Sequence, residues 1–460
     1  MKNPLDVSSP LHRIGRRVRP WQMILIVATF HLLVTTTVFL VGHFQLMPSQ
    51  FTTSGVGYFA ADGLYYQTEV DLLSEFLANG QFNTWINTQV EYHDKFYSIS
   101  YLLFRPITKF NILTIEPLNN LYYVLVVLLV FFLADTAFSR RVAFVSAVLV
   151  ALWPSWLLHT TQPLREPLLA VAVLALFLSI CLTLTRTMNW RRGLLFGLIV
   201  AMATGVIWIV RLSMWDVVRA STVLAVALLA LAQLRERRFL TGNIVTIVLL
   251  VIAVAAIPAV SREVGRLNPG VVGVQERRPV HKGKVVRGTT ASELQEATIW
   301  DRISERRKGY LGTTDREVVP GSTIDIDREF HSLGDIVRFL PRAFVVGAFA
   351  PFPNMWFSPG MEVGFSGRIL SGFETLVAYV LELLALVGLW NSRDKLVSWF
   401  IAAILALGAI GLGLIVANIG SLYRFRYPFW ILLVPLGIFG GSQVWISYAS
   451  RTRQPRQQPR

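Results

Sequence analysis

Asp62 and two arginines late in the chain are the residues whose chemistry stands out in this sequence. Asp62 lies in an aromatic segment between Gly57 and Tyr66, just after the first hydrophobic stretch. Arg424 and Arg426 alternate with aromatic residues just before the last hydrophobic stretch. A carboxylate can accept the proton of a hydroxyl nucleophile, and arginine binds phosphate oxygens in bidentate fashion. The three residues therefore supply the smallest set of groups needed to transfer a group from a phosphate, namely one base and cations for the phosphate. This requires all three to lie on the same side of a membrane.

The composition is that of a polytopic membrane protein. Hydrophobic residues make up 53% of the 460 residues and charged residues only 15%, which excludes an ordinary soluble domain. Several apolar stretches reach the roughly 20 residues that a helix needs to cross a bilayer. We predict an all-α protein with about ten transmembrane helices, near 21–43, 117–138, 142–158, 167–185, 194–210, 217–234, 240–260, 372–390, 397–417 and 427–447.

The arrangement of the basic residues predicts how these spans are oriented. The net charge is +15, and with ten spans the arginine and lysine clusters all fall on one side. By the positive-inside rule that side is the cytoplasm. We therefore predict a multi-pass protein of the plasma (inner) membrane of a bacterium, with both termini in the cytoplasm. The basic charge then reflects topology and attraction to anionic lipid rather than binding of nucleic acid.

This topology divides the chain into membrane modules and outward loops. The two large outward loops are predicted to carry amphipathic helices, near 60–79 and 297–311. Residues 336–357 are apolar but contain three prolines and two arginines, so we predict an interfacial or re-entrant segment there. The predicted segments are a basic N-terminus (1–20), a module of about seven helices (21–260) with its first loop (44–116), a second loop (261–371), about three helices (372–447) and a basic tail (448–460).

Further ionisable residues lie at the outward ends of the predicted spans. Arg165 and Glu166 come just before a span, and Arg211 closes another. Such residues are costly near a bilayer unless they are paired or hydrated. Structural roles stay open: a mutual ion pair for Arg165 and Glu166, and a side chain of Arg211 extended to the lipid–water interface. Asp62 could equally be a helix N-terminal carboxylate, and an acidic headgroup could be the partner of the late arginines.

Four short motifs carry a resemblance to a known group of enzymes. They are Ala61-Asp62-Gly-Leu-Tyr65, Pro117-Leu-Asn119-Asn120, Trp153-Pro-Ser followed by Leu164-Arg165-Glu166, and Arg424-Phe-Arg426-Tyr-Pro428. With them the chain resembles the GT-C superfamily of integral-membrane glycosyltransferases. It looks closest to the bacterial branch related to protein O-mannosyltransferases and lipid A aminoarabinose transferases.

The resemblance implies a donor, an acceptor and roles for the residues. The donor would be a polyprenyl-phosphate-linked sugar, and the acceptor an extracytoplasmic glycan, lipid or protein. Transfer would be inverting, with Asp62 as the base. The residues expected to bind the donor phosphate are Arg424, Arg426, Arg165 and Arg211.

Gly63 departs from the pattern of the relatives, many of which carry a second acid at that position. Here the second acid would come from Glu91, Asp94 or Glu166, or would be absent. A divalent metal is used by some members, and His93 with Asp94 could contribute ligands, so the metal site stays unassigned. Cys181, the single cysteine, excludes an internal disulfide and a cysteine-based metal site.

Two other functions compete with this interpretation. An O-antigen-polymerase or ligase type of enzyme would use outward arginines and a histidine, with the candidates Arg338, Arg342, Arg424 and His331. A glycolipid transporter or flippase would place polar residues and broken helices near the bilayer midplane. The predicted spans are polar mainly at their outward ends, which favours an enzyme.

Overall fold

The structure, a computed structural model, describes residues 20–108, 111–237, 240–267, 299–311, 323–358 and 363–452. Within these ranges the regular structure is helical, and the only β contacts are two isolated bridges, Phe51–Gly57 and Thr323–Asn418. Parts of the predicted segments lie outside the described residues: 1–19 of the N-terminus, 453–460 of the tail, and 268–298, 312–322 and 359–362 of the second loop.

The described ranges form seventeen α-helices, with short 3-10 turns at Tyr58–Ala60, Ile112–Thr114, Leu212–Met214 and Pro353–Met355. In chain order the helices are α1 (Pro20–His43), α2 (Ala61–Ala78), α3 (Phe82–Asn87), α4 (Tyr92–Thr108), α5 (Glu116–Ala137), α6 (Arg140–Ala151), α7 (Pro154–Thr160), α8 (Glu166–Thr185), α9 (Trp190–Val210), α10 (Trp215–Glu236), α11 (Thr241–Leu267), α12 (Ile299–Leu311), α13 (Leu333–Phe349), α14 (Gly364–Asn391), α15 (Leu396–Ile415), α16 (Ile419–Phe425) and α17 (Tyr427–Thr452).

Nine of the described helices are long and apolar enough to cross a membrane: α1, α5, α8, α9, α10, α11, α14, α15 and α17. The prediction of a polytopic helical membrane protein is thereby confirmed. The predicted span 142–158 is not one straight helix, because α6 and α7 meet at an angle of 63°. Trp153 is extended at the break and Pro154 begins the new helix, where its missing N–H costs no intrahelical bond. Counting this bent pair as one span gives ten.

The centre of the bundle is α8. About 72% of the residues in its most apolar stretch are buried in the protein, compared with 17% for the peripheral helix α1. Polar contacts nevertheless fix α1, since His31 Nδ1 lies 2.9 Å from Glu116 Oε1 and its Nε2 lies 3.0 Å from the Thr160 hydroxyl. Such buried polar contacts can fix the position of a helix that has little apolar packing.

The segment predicted as interfacial or re-entrant contains α13, which packs antiparallel along α15. A methyl group added at Gly347 would overlap the carbonyl of Ala409, and one added at Gly413 would overlap that of Ala343. Small residues permit this close approach of two backbones. The Tyr379 hydroxyl of α14 donates to the carbonyl oxygen of Phe349 at the end of α13. Thus α13 lies against two of the apolar helices, and among the described helices it is not one of those long enough to span.

The first predicted loop folds around α2, which occupies the region predicted near 60–79. The helix ends before Gly80, whose φ of +69° is easily adopted by glycine. Its buried face consists of Tyr66, Val70, Leu73 and Leu77. The helical spacing of the apolar residues in this segment predicts Tyr65 and Leu72 on the apolar face together with Leu73 and Leu77, yet Tyr65 and Leu72 are about half exposed. The buried face is therefore rotated relative to that prediction.

Candidate active site

Asp62 lies in the first turn of α2, where a carboxylate interacts favourably with the helix dipole. The loop that leads into this helix is tied to the segment between α7 and α8. The backbone N–H of Gly57 donates to Gln162 Oε1 at 2.8 Å. Asn119 in turn donates to the carbonyl oxygen of Gln162 at 3.0 Å. These buried contacts hold the start of α2 beside the start of α8.

Arg424 forms an ion pair with Asp62. Arg424 Nη1 lies 2.8 Å from Asp62 Oδ2, and the exposed fractions of the two side chains are 15% and 47%. Arg424 comes from α16, a short helix whose N-terminus is capped by Asn418. The candidate base and a candidate phosphate ligand, predicted from opposite ends of the sequence, are thus in contact.

Arg165 lies between α7 and α8 and pairs with Glu91. Arg165 Nη1 is 2.8 Å from Glu91 Oε2, with exposed fractions of 15% and 10%. The Tyr66 hydroxyl donates to the same Glu91 oxygen over a long 3.4 Å. Tyr97 holds the backbone just before Arg165, because its hydroxyl donates a hydrogen bond of 2.9 Å to the carbonyl oxygen of Leu164.

Arg211, between α9 and α10, pairs with Glu166, the first residue of α8. Arg211 Nη1 lies 3.5 Å from Glu166 Oε1, and the two side chains are 3% and 5% exposed. The guanidinium of Arg211 also lies 3.4 Å from the ring centroid of Phe425, a cation–π contact with the neighbour of Arg424. The mutual ion pair that was left open for Arg165 and Glu166 is not formed, because each residue has another partner.

We call these six residues the arginine–carboxylate cluster: Asp62, Glu91, Arg165, Glu166, Arg211 and Arg424. Three guanidinium groups face three carboxylates, so the cluster is formally neutral when all six are ionised. It lies where the start of α8, the end of α9 and the segment before α17 meet at one end of the bundle. Among the predicted site residues, it unites Asp62 with two of the three candidate second acids and three of the four candidate phosphate ligands.

The cluster affects its carboxylates differently. Burial by itself would raise the pKa of Asp62, but Arg424, Arg165 and Arg211 together bring this pKa below its ordinary value. Burial raises the pKa of Glu91, and Arg165 and Arg211 only partly oppose the shift. Of the three carboxylates in the cluster, Asp62 is consequently the one that is both held ionised and accessible, as a proton acceptor must be.

Arg426 lies apart from the cluster. Its Nη1 donates to the carbonyl oxygens of Ala348 and Ala350 at 2.7 and 2.8 Å. These carbonyls belong to the end of α13, where backbone acceptors lack partners within the helix. The contacts give Arg426 a structural role at that helix end, and its role in phosphate binding stays a prediction.

The sequence interpretation takes His93 and Asp94 as solvent-exposed neighbours, but the structure buries both. His93 Nδ1 is 3.4 Å from Glu91 Oε2, and its Nε2 is 3.3 Å from Asp94 Oδ1. Burial, followed by the nearby Arg165 and Arg211, lowers the pKa of His93 well below its ordinary value, which favours the neutral ring at neutral pH. In the part of the chain that the structure describes, no three His, Cys, Asp or Glu side chains are arranged to hold a metal ion.

Of the residues named for a polymerase or ligase, only Arg424 belongs to the cluster. Arg342 is paired with Asp325 through two contacts of 3.0 and 3.2 Å. His331 is largely exposed, with Glu329 at 3.9 Å, and Arg338 is exposed as well. Among the described residues, no hydrogen bond or ion pair joins Arg424 to Arg338, Arg342 or His331.

Sequence reasoning missed two features of the site. Tyr66 faces the cluster one helical turn after Asp62, and its spacing could have revealed it. Glu374, inside α14, accepts from the backbone N–H and the hydroxyl of Ser155 at 2.7 and 2.6 Å and from the hydroxyl of Tyr423. It thereby joins α7 to α16 beside Arg424. A carboxylate within an apolar helix was the available signal.

Comparisons with protein-family models, curated proteins and solved structures found no match to this chain.

Proposed function

We propose that this protein is a membrane glycosyltransferase with a polyprenyl-phosphate-linked sugar as donor. The acceptor would be an extracytoplasmic glycan, lipid or protein, and the anomeric configuration would be inverted. The observation that carries the proposal is the ion pair between Asp62 and Arg424, in a cluster that also contains Arg165 and Arg211. A GT-C-like arrangement of about ten spans is part of the same proposal.

The chemistry of such a transfer matches what the cluster contains. A leaving phosphate is already a weak base, so it needs cations rather than a general acid. The acceptor hydroxyl is a poor nucleophile and needs a positioned carboxylate to take its proton. Asp62 would be that base, and Arg424, Arg165 and Arg211 would hold the phosphate while the polyprenyl tail stays in lipid. Glycoside hydrolysis, by contrast, usually needs two catalytic carboxylates.

The proposal requires the cluster to face away from the cytoplasm. The test is cysteine labelling of intact cells with a membrane-impermeant maleimide. Cys181 is buried, so the background should be low. Glu75→Cys, at an exposed position of α2, is expected to react, whereas Arg393→Cys, after α14, should react only after permeabilisation. The reverse pattern would refute the proposed orientation.

The activity test measures polyprenyl phosphate released from polyprenyl-phosphate-linked sugars by the protein in lipid nanodiscs, with membrane extract as the source of acceptors. Asp62→Asn is expected to lower the rate by at least about 100-fold, the usual contribution of a general base. Asp71→Asn, on the same helix but paired with Arg105 at 3.8 Å, is the matched control and should retain the rate. Full activity in Asp62→Asn would refute this mechanism and favour a polymerase or ligase.

A transporter predicts a different result. In sealed vesicles it would accumulate unmodified substrate on one side, with no release of polyprenyl phosphate. The same assay, run with vesicles and followed for sugar and lipid separately, distinguishes the two functions.

A further inference from the structure

The three ion pairs of the arginine–carboxylate cluster differ in how open they are to a ligand. The acids that pair with Arg165 and Arg211 are 10% and 5% exposed. Asp62 is 47% exposed, although its partner Arg424 is only 15% exposed. Arg424 and Arg165 are each 15% exposed, but only the acid paired with Arg424 is open to solvent. The pair between Asp62 and Arg424 is therefore the one that can separate without leaving a buried, unpaired carboxylate.

The geometry of this pair also leaves Arg424 able to change partner. Among the described residues Asp62 is the only acid within ion-pair distance of the Arg424 guanidinium, with its Oδ2 2.8 Å from Nη1. Arg211 likewise has one acid, Glu166, within that distance. A guanidinium has five N–H donors, so pairing with one carboxylate leaves donors available for an anion.

We propose that Arg424 is an exchangeable counterion, which pairs with Asp62 in the free enzyme and moves to the donor phosphate during transfer. The inference rests on the proposed function and concerns how the base is activated. Asp62 would be restrained by Arg424 until a phosphate competes for that guanidinium. The donor, rather than the acceptor alone, then makes the base available.

The charges of the reaction support this exchange. The bond from the sugar C1 to the phosphate oxygen breaks, and its electron pair stays on the phosphate, which changes from a singly charged diester to a doubly charged monoester. The acceptor oxygen bonds to C1, and its proton passes to Asp62, which becomes neutral. One negative charge thus moves from Asp62 to the phosphate. A cation between the two groups follows that charge and stabilises the later part of the reaction.

The remaining charged groups of the cluster stay paired throughout. Arg165 keeps its pair with Glu91 and Arg211 its pair with Glu166, while the other N–H groups of both guanidiniums contribute to binding the phosphate. The Tyr66 hydroxyl stays beside Glu91. The charges of these two buried pairs keep their positions during the reaction. Only the pair of Asp62 and Arg424 therefore has to reorganise. Low reorganisation is what makes a preorganised site effective.

The experiment measures binding of a polyprenyl monophosphate to the protein in lipid nanodiscs at fixed pH and salt. Asp62→Asn removes the competitor for Arg424 and is expected to bind the probe about tenfold more tightly, equivalent to about 1.4 kcal/mol. Asp71→Asn is the control for loss of one carboxylate from the same helix and should bind like the unmodified protein. Thermal unfolding of each variant verifies that it is folded.

A double-mutant cycle separates exchange of the guanidinium from simple charge repulsion. In an Arg424→Gln background the Asp62→Asn change should no longer improve binding. If Arg424→Gln binds too weakly to measure, the cycle uses Arg424→Lys, in which the gain should be reduced. An unchanged affinity in Asp62→Asn, or an equal gain in both backgrounds, would overturn the exchange while leaving the phosphate site standing. Absence of binding to the unmodified protein would overturn the proposed function itself.

Discussion

Arg211 Nη1 lies 3.5 Å from Glu166 Oε1, and both side chains are almost completely buried. In a low-dielectric interior, loss of one member of such a pair leaves an uncompensated charge. Arg211→Met is therefore expected to lower the free energy of unfolding by about 3–5 kcal/mol, measured by denaturation in detergent.

The matched control is the double variant Arg211→Met/Glu166→Gln. It removes both charges and should recover part of the lost stability, because no unpaired charge remains. Recovery will be incomplete, since the ring of Phe425 also loses its cation–π contact with Arg211. If the double variant were no more stable than the single one, Glu166 would not be the partner that matters.

Asp94 provides a prediction about pH. Burial, followed by the nearby Glu69 and Glu91, raises the pKa of the Asp94 carboxyl well above its ordinary value. The folded state then binds this proton more tightly than the unfolded state. Its contribution to stability consequently decreases as the pH rises above about 3.9, the unfolded value.

Asp94→Asn removes this loss because the amide stays neutral at every pH. At pH 8 the free energy of unfolding of the variant should exceed that of the unmodified protein by about 1–3 kcal/mol, and its unfolding temperature should be higher. At pH 5 the difference should be smaller. Asp216→Asn, at an exposed position, should change little at either pH. A gain that is independent of pH would contradict the proposed cause.

Arg307 joins α12 to α15 through hydrogen bonds that we expect to stabilise the protein. The buried guanidinium donates to the carbonyl oxygens of Gly413, Leu414, Ile324 and Asp325 at 2.8–3.2 Å. Two of these carbonyls belong to the last turn of α15, where helical acceptors lack partners. Arg307→Met should lower stability by about 2–4 kcal/mol, because several acceptors lose a charged donor.

Arg306 is the natural control for Arg307. Arg306 directly precedes Arg307 in the sequence, is 43% exposed and forms a long ion pair of 3.8 Å with Asp216. Exposed pairs of this kind contribute about 0–1 kcal/mol, so Arg306→Met should unfold at nearly the same temperature as the unmodified protein. Equal losses in the two variants would indicate a general charge effect instead.

Two glycines in α15 predict opposite results. A methyl group at Gly413 would overlap the backbone of Ala343, whereas one at Gly411 would meet open space. Gly413→Ala should therefore destabilise the protein by about 1–3 kcal/mol through the displaced α13. Gly411→Ala should be neutral or slightly stabilising, because alanine favours helix by up to about 1 kcal/mol. Thermal unfolding of both variants measures the difference. A higher unfolding temperature for Gly413→Ala than for Gly411→Ala would contradict this packing.

The amino-acid sequence was sufficient to predict the membrane helices. Nine of the ten predicted spans correspond to apolar helices of sufficient length, because burial in lipid imposes a long hydrophobic stretch on each. The span 142–158 was only partly predicted. Pro154 signalled a helix start, but the 63° bend depends on how α7 packs and on the contact between Ser155 and Glu374.

The candidate site was predicted as residue types but not as pairs. Arg165, Arg211 and Arg424 are each indicated by a charge at the end of an apolar stretch, and Asp62 by its place in an aromatic segment of the first loop. Both signals are local in sequence. Which acid would pair with each arginine depends on how the helix ends meet, and no local pattern encodes that. The buried state of His93 and Asp94 was missed for the same reason, since α4 packs them against α2.

What the sequence determined by itself is therefore the class of protein and the positions of its ionisable groups, because hydrophobic length and charge are local properties. What only the tertiary structure decided is the set of partners: Asp62 with Arg424, Glu91 with Arg165, and Glu166 with Arg211. The physical reason is that each pair joins residues from different helices or loops. Their distance and shared burial exist only after those helices have packed.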